Sequence, residues 1–338
     1  MAGQVFVSGG SGYIAGFLIR QLIAEGWTVN TSIRNLRREA EVRDWLGVDN
    51  SKLKIFAADL MSDDGWAEAM AGCSHVAHVA SPLPSNAPKS DDELIIPARE
   101  GALRALRFAH AAGIKRFVMT SSVAAIAYGH GKDKQHFSEA DWTNVESPDA
   151  YAYVKSKTIA ERAARDWVAA NAPDMEYVTV NPSLVLGPLL ADDFSTSLEA
   201  IKKLLDGSMP GIPNLGFSVV DVRDVADLHV RCLTSPNMAG ERFVAAGPYL
   251  WMREVAAIMK DGLGTDGKKV PTRRLPNFLV RLSALFDPVI KQVVGELDNV
   301  RDTSAQHAKD VLGWQTRDPK ESILDTARDM IRLGLVKT

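Results

Sequence analysis

Cysteine is scarce in this chain: Cys73 and Cys232 are the two among 338 residues, and they lie far apart. Two such thiols make no disulfide framework for a chain of this size, so both read as free thiols in a reducing compartment, the cytoplasm. An excess of either charge is also missing. Lys and Arg number 39 against 42 Asp and Glu, a net charge of −3 that offers a polyanion nothing to grip and argues against nucleic acid as a partner. Long hydrophobic runs are lacking too. Stretches such as VFVSGG and YVTVNPSLVLG fall far short of the roughly 20 residues a membrane-spanning helix needs. The opening MAGQVFV enters a strand pattern at once, without the charged segment and apolar core of a secretory leader. No internal repeat or low-complexity tract occurs. What is present is an ordinary globular composition, long enough for one large α/β domain or one domain with a smaller lobe.

The first half alternates strand-length apolar runs with amphipathic stretches of helical period. QVFVSG, TVNTSI, KLKIFAA, SHVAHVA and KRFVMTSS read as strands. IAGFLIRQLIAEG, REAEVRDWLG, DDGWAEAMAG and PAREGALRALRFAHAAG read as the helices between them or after them. Strand and helix in turn predict an α/β fold with a parallel sheet covered on both faces, and ligands in such sheets bind beyond the carboxyl ends of the strands.

At the first such end stands SGGSGYIAG, where Gly9, Gly12 and Ala15 form a G-x-x-G-x-x-A series. Small residues between a strand and a helix let backbone N–H groups approach a pyrophosphate at the helix N-terminus, which predicts a dinucleotide site at Gly9, Gly12, Tyr13 and Ile14. The acid that holds the ribose of NAD is missing from the end of the second strand. TSIRNLRRE places Ile33 there, followed by Arg34, with Arg37 and Arg38 close by. A guanidinium suits a 2′-phosphate, so NADP(H) is the expected cofactor. Asp59, after the third strand, lies too far on for the ribose and suits the adenine edge or a helix N-cap.

The stretch AYAYVKSKTIAERAA holds two Tyr–Lys pairs at i, i+4: Tyr151 with Lys155 and Tyr153 with Lys157. On a helix, Ser156, Lys157, Ala160, Ala164, Trp167 and Val168 fall within about 60° of Tyr153, a stripe suited to packing on the sheet. Tyr151 and Lys155 fall opposite, with Thr158, Arg162 and Asp166, on an expected solvent face. Tyr153 and Lys157 are therefore the candidate proton-transfer pair. A neighbouring ammonium is expected to lower the phenol's pKa, so that Tyr153 can protonate a carbonyl oxygen while hydride reaches its carbon. Lys157 can also hold the nicotinamide ribose, and VMTSS supplies Thr120, Ser121 and Ser122 to orient the carbonyl.

GGSGYIAG, VMTSS and YVKSKTIAE, in that order and spacing, resemble an extended short-chain dehydrogenase/reductase. TSIRN, AADL, HVASP, PAREGALRAL, VNPSLVLGP, VVDVRDVADLHV and SAQHAKDVLGW narrow the likeness to the dihydroflavonol reductase-like branch, with microbial aldehyde and carbonyl reductases, from about residue 4 to about residue 330. The resemblance implies a Rossmann-type, doubly wound sheet and a Ser-Tyr-Lys triad at Ser122, Tyr153 and Lys157. It implies Asp59 and Leu60 beside the adenine, Val79, Ala80 and Ser81 along the cofactor, Pro182 and Val185 near the nicotinamide amide, and Arg34 on the phosphate. One departure from the family pattern is Ala15 at the third fingerprint glycine, with Gly16 behind it.

Residues 1–188 are expected to build mainly the NADP-binding domain, 189–338 mainly a substrate lobe, with segments around 215–246 returning to the former. Helical patterns lie near 251–260, 276–293 and 319–333, and the polar stretch 129–148 reads as a loop at the rim. Leu83, Tyr128, Phe194 and Phe217 are candidate apolar walls for a small-molecule carbonyl substrate. His75 and His78, three apart in a strand, face opposite sides, and no set of ligands completes a metal site. TSSVA lacks the G-x-S-x-G elbow of a hydrolase. The expected activity is NADPH-dependent reduction of an aldehyde or ketone. The alternatives are an NAD-dependent nucleotide-sugar epimerase or dehydratase and a non-catalytic NADP(H) sensor. Monomer and homodimer both stay open, because the Ala-rich helices 98–112 and 151–170 suit either a dimer bundle or a cover for the sheet.

Overall fold

The computed structural model describes residues 3–82, 88–192, 196–286, 290–291 and 294–337, side chains at 196 and 197 excepted. Leu83 and Phe194 lie outside the described residues. In the first half each buried apolar run forms a strand and the amphipathic stretch after it a helix: β1 Gln4–Ser8, α1 Tyr13–Ala24, β2 Thr28–Ile33, α2 Glu39–Leu46, β3 Leu53–Ala57, α3 Trp66–Met70, β4 His75–His78, α4 Asp92–Ala111 and β5 Arg116–Thr120. There follow β6 His136–Phe137, α5 Ala152–Asn171, β7 Glu176–Pro182, β8 Leu184–Leu186, α6 Thr196–Leu205, β9 Gly216–Asp221, α7 Val222–Thr234, β10 Arg242–Ala245, β11 Tyr249–Trp251, α8 Met252–Leu263 and α9 Asn277–Ser283.

Seven strands pair in parallel in the order β10-β7-β5-β4-β1-β2-β3. This is the doubly wound α/β sheet. The chain runs outward from β1 in one direction and from β4 in the other, so the loops after β1 and β4 diverge and leave a crevice between them. α1 and α7 pack on one face of the sheet, where Leu18, Leu22, Val225 and Leu228 are fully buried. α3, α4 and α5 pack on the other, where Ala102, Ala105, Ala160 and Ala164 let the helices sit close to Phe117 and Tyr177. The Ala-rich pair thus covers the sheet.

β8 and β9 pair in parallel and β9 pairs antiparallel with β11, forming a second, three-stranded sheet. A third core joins it to α6, α8 and the helix Pro319–Arg332 through Leu198, Ile201, Val255, Met259, Ile323 and Ala327. β10, in contrast, closes one edge of the seven-stranded sheet.

One stretch differs from the sequence expectation. α4 begins at Asp92, not at Pro97, which lies inside the helix. Asp91 O caps the start by accepting from Leu94 and Ile95 N–H (3.1 and 3.0 Å), and Glu93 takes the Lys89 N–H at 3.0 Å. The polar stretch 129–148 is pinned: β6 pairs with Asp302–Thr303, Thr143 is buried, and Arg242 Nη1 holds Glu139 O and Asp141 O at 2.5 and 2.8 Å.

Candidate active site

The crevice is floored by the turn from β1 into α1. Gly9 has φ +73°, and a Cβ there would stand 3.0 Å from Ala80 Cβ, so the loops after β1 and β4 touch only because this residue has no side chain. At Gly10 a Cβ would lie 2.3 Å from Thr31 Oγ1. Gly10 N–H donates to Ser32 O at 2.8 Å and Gly12 N–H to Gly9 O at 2.8 Å, which sets the turn. Gly12 caps α1 with no side-chain hydrogen bond, leaving the leading N–H groups of Tyr13 and Ile14's turn to a ligand. Gly16 explains the departure at Ala15. Ala15 is fully buried, and the close approach lies one residue later, where a Cβ on Gly16 would stand 2.8 Å from the Trp45 ring.

Ser8, the last residue of β1, ties the two loops together. Its Oγ accepts from Val79 N–H (3.0 Å) and Ala80 N–H (2.9 Å) and lies 3.0 Å from His78 Nδ1. With both N–H groups pointing at the oxygen, the hydroxyl proton is left for Nδ1, which fixes the Nε2–H tautomer of His78. Burial, with Lys157 as the lesser cause, holds His78 down at about 3, so it is neutral. His75 packs on Trp27 and His78 on Trp66 and Phe117, on opposite sides of the sheet. Among the described residues no cluster of His, Cys, Asp or Glu could hold a metal ion, and no helix is long and apolar enough to cross a membrane.

Arg34 is exposed just past β2 and has no ion pair or hydrogen bond among the described residues, whereas Arg38 grips Glu41 through two bonds of 2.8 and 3.0 Å. Arg37 is exposed beside it. Asp59 is no helix cap, because α3 starts at Trp66 after Gly65; its Oδ1 accepts from Met61 N–H at 2.8 Å. Leu60 packs on Gly101, and Ser81 ends the half-buried run Val79–Ala80–Ser81. Pro182 at the end of β7 and Val185 in β8 are buried, and Ser183 Oγ between them is buried with no partner among the described residues. A turn at Gly9 and Gly10 where a Cβ would strike Ala80 or Thr31, an unengaged arginine and this orphaned hydroxyl fit a phosphorylated dinucleotide.

Ser122 follows β5 in extended backbone, where its Oγ accepts from Ala124 N–H at 3.1 Å. Tyr153 lies in the first turn of α5 and is half-buried; Lys157, one turn on, is buried with its Nζ 5.9 Å from the Tyr153 ring centroid. The triad residues therefore do meet. The expected lowering of the phenol does not hold in this structure: burial raises Tyr153 above its ordinary value, with the Ser122 hydroxyl pulling the other way. Burial brings Lys157 down to about 8, against the pull of Glu161. Burial is the larger influence on the phenol.

The helical wheel needs two corrections. Tyr151 is not on a solvent face. It is the N-cap of α5, outside the helix that the wheel describes, and its ring stacks on Tyr153 at 6.4 Å and meets Tyr128 edge-on at 6.0 Å. Thr158 is fully buried, its hydroxyl donating to Val154 O at 2.8 Å. Lys155 does lie at the surface side, paired with Asp91 at 2.7 Å, and Arg162 and Asp166 are exposed. Of the candidate walls, Tyr128 joins Tyr153 through Tyr151, while Phe217 packs in the third core.

Two groups of functional interest went unread in the sequence. One is Arg301, whose guanidinium lies 4.2 Å from the centre of the Tyr128 ring, bonds Ala127 O at 3.0 Å and pairs with Asp149 at 2.8 Å and with Glu296. The other is Glu161, fully buried one turn beyond Lys157. Glu161 is visible as the end of the YVKSKTIAE motif; Arg301 carries no local signal, since its partners come from distant segments.

Residues 5–246 match the NAD dependent epimerase/dehydratase family. Cinnamoyl-CoA reductase CAD2 of Medicago truncatula is 37% identical over 247 residues, 70% of this chain and 74% of its own. Cinnamoyl-CoA reductase 1 of Arabidopsis thaliana is 33% identical over 337 residues, 98% of this chain and 90% of its own. Yeast methylglyoxal/isovaleraldehyde reductase Gre2, solved with NADPH, has the same fold: its TM-score is 0.83 at 24% identity, over 98% of this chain and 99% of that one. This chain belongs to the NAD dependent epimerase/dehydratase family.

Proposed function

We propose that this protein is an NADPH-dependent reductase of a small-molecule aldehyde or ketone, acting in the cytoplasm. The observation that carries the reading is the meeting of Ser122, Tyr153 and Lys157 beside a glycine-floored crevice whose outer end holds the unengaged Arg34. The names of the two curated relatives point the same way, and the two buried free thiols suit a reducing compartment. Gly9, Gly12, Tyr13 and Ile14 would face the diphosphate, Arg34 the 2′-phosphate, Asp59 and Leu60 the adenine, and Pro182 and Val185 the nicotinamide amide. The bound cofactor would supply the hydride. The chain supplies the proton: Tyr153 Oη gives it to the carbonyl oxygen, which Ser122 Oγ orients by donating a hydrogen bond. Lys157 Nζ holds the ribose hydroxyls and stabilises the phenolate left behind. Residues 1–188, with 215–246, would carry the cofactor and the remainder the substrate wall.

The test is a carbonyl panel followed by NADPH and NADH absorbance. Wild type is expected to consume NADPH in preference to NADH. Arg34→Ala should weaken NADPH binding at least about ten-fold, the loss of one charge-assisted hydrogen bond, and leave NADH unchanged. A purified protein that retains NAD and epimerises nucleotide sugars would overturn the reading in favour of the epimerase branch. NADPH binding without turnover of any carbonyl would favour a sensor.

A further inference from the structure

We propose that Glu161 is a positioning residue, a carboxylate that fixes Ser122 and Lys157 relative to each other; this rests on the reductase reading above. Glu161 is fully buried, and a carboxylate in the interior needs its charge and lone pairs answered. Five donors answer it. Oε1 accepts from Arg242 Nε at 2.7 Å, Thr179 Oγ1 at 3.3 Å and Arg165 Nε at 3.4 Å. Oε2 accepts from Ser121 Oγ at 2.5 Å and Asn181 Nδ2 at 2.9 Å.

The second set matters for chemistry. Asn181 Nδ2 also donates to Ser122 O at 3.2 Å. The Ser121–Ser122 pair is thus held at two points by one carboxylate, directly at the Ser121 hydroxyl and through Asn181 at the Ser122 carbonyl. The hydroxyl of Ser121 is turned inward to Glu161, and that of Ser122, which donates to Pro182 O at 3.5 Å, lies beside Tyr153. The two adjacent serines therefore do different work because Glu161 claims one of them. Asn181 precedes Pro182, so the same carboxylate also braces the end of β7.

A plain buried ion pair is the competing account, since Arg242 is itself buried, stacked 3.8 Å from the Trp142 ring. Such pairs add little net stability over apolar packing of the same shape. An apolar pair would not bind Ser121 and Asn181, and it would do nothing for Lys157. Facing Lys157 are Tyr153 and Glu161 on its own helix and the neutral His78 of β4. Glu161 is the anion among them. It favours the ammonium that burial disfavours.

Glu161→Gln removes the charge and keeps the shape. Because it strands Arg242, the double variant Glu161→Gln/Arg242→Met serves where the single one fails to fold. Each is measured for NADPH affinity across pH by fluorescence and for kcat and KM with a carbonyl that wild type accepts. The expected result is a kcat at least about ten-fold lower at little-changed carbonyl KM, as for a small misplacement of reacting groups. The alkaline loss of NADPH affinity should also move to lower pH. Ser121→Ala, which leaves Glu161 paired with Arg242, should lower kcat and leave that alkaline limb in place. Folded charge-removed variants with wild-type kcat and an unmoved limb would reduce Glu161 to fold support and overturn the proposal. If wild type binds NADPH but reduces no carbonyl, the reductase reading fails by itself, and the pH limb alone then decides: moved, Glu161 still serves Lys157; unmoved, it does not. A wild type that binds no NADPH overturns both.

Discussion

Lys157 has 6% of its surface exposed, and burial holds it at about 8 where a free lysine stands at 10.5. Between those two values the unfolded chain keeps a proton that the folded chain has released, so this group's contribution to stability rises with pH through that window. Below about pH 8 the folded protein bears the full cost of an interior ammonium. Lys157→Met is therefore predicted to raise the melting temperature at neutral pH, by a free energy on the order of 2–4 kcal/mol, while abolishing turnover; calorimetry at pH 7 and again near pH 10 checks it, the gain shrinking at the higher pH. A lysine kept at such a cost serves function in place of stability. The pair Tyr153–Lys157 was legible because a spacing of four puts both on one helix face. Tyr151 was not, because a wheel has no meaning for an N-cap residue. Thr158 was misread because α5 is wedged among α4, the sheet and the turn after Ser122, so its buried arc is wider than a helix lying on one surface would need.

The turn from β1 into α1 shows how far a motif reaches. Strand, glycines and helix in sequence marked the crevice, and the crevice lies at the switch point between β1 and β4, as parallel topology requires. What the pattern did not reveal is that Ala15 and Gly16 have exchanged duties: the helix approaches its neighbour at Gly16, against Trp45 and Leu190. Gly16→Ala is predicted to cost about 1–3 kcal/mol, the usual penalty for forcing a methyl into a packed contact, and to weaken NADPH binding by displacing the start of α1. Denaturant melts with and without NADPH measure both effects. Ala15→Gly, by contrast, should change stability by about 1 kcal/mol or less, the helix propensity difference. Proline usually marks a helix start, but Pro97 lies inside α4, whose N-cap is Asp91, six residues before it.

At the scale of the whole molecule, long-range pairs were illegible in the sequence because their partners lie far apart in the chain. Arg301 joins Asp149, Glu296 and the Tyr128 ring, and so sets the wall that Tyr128 and Tyr151 present to Tyr153. Arg301→Met should leave Glu296 buried without its cation, with the Tyr128 hydroxyl bonded to it, at about 3–5 kcal/mol. Since burial already raises Glu296, its loss of a partner should be relieved by protonation, and the variant is expected to regain part of its stability as pH falls; melting curves between pH 5 and pH 8 check the sign. Alternating strands and helices made the fold class readable, whereas the split of β9 and β10 between two sheets depends on contacts no local pattern contains. The most direct test of the central claim follows deuterium. NADPH labelled at the transferable nicotinamide position is incubated with a reducible carbonyl and either wild type or Tyr153→Phe. The account predicts deuterium on the alcohol carbon with wild type, and at least about a hundred-fold slower transfer by a variant that still binds NADPH. Label that never reaches the product, or transfer undiminished in Tyr153→Phe, would contradict it.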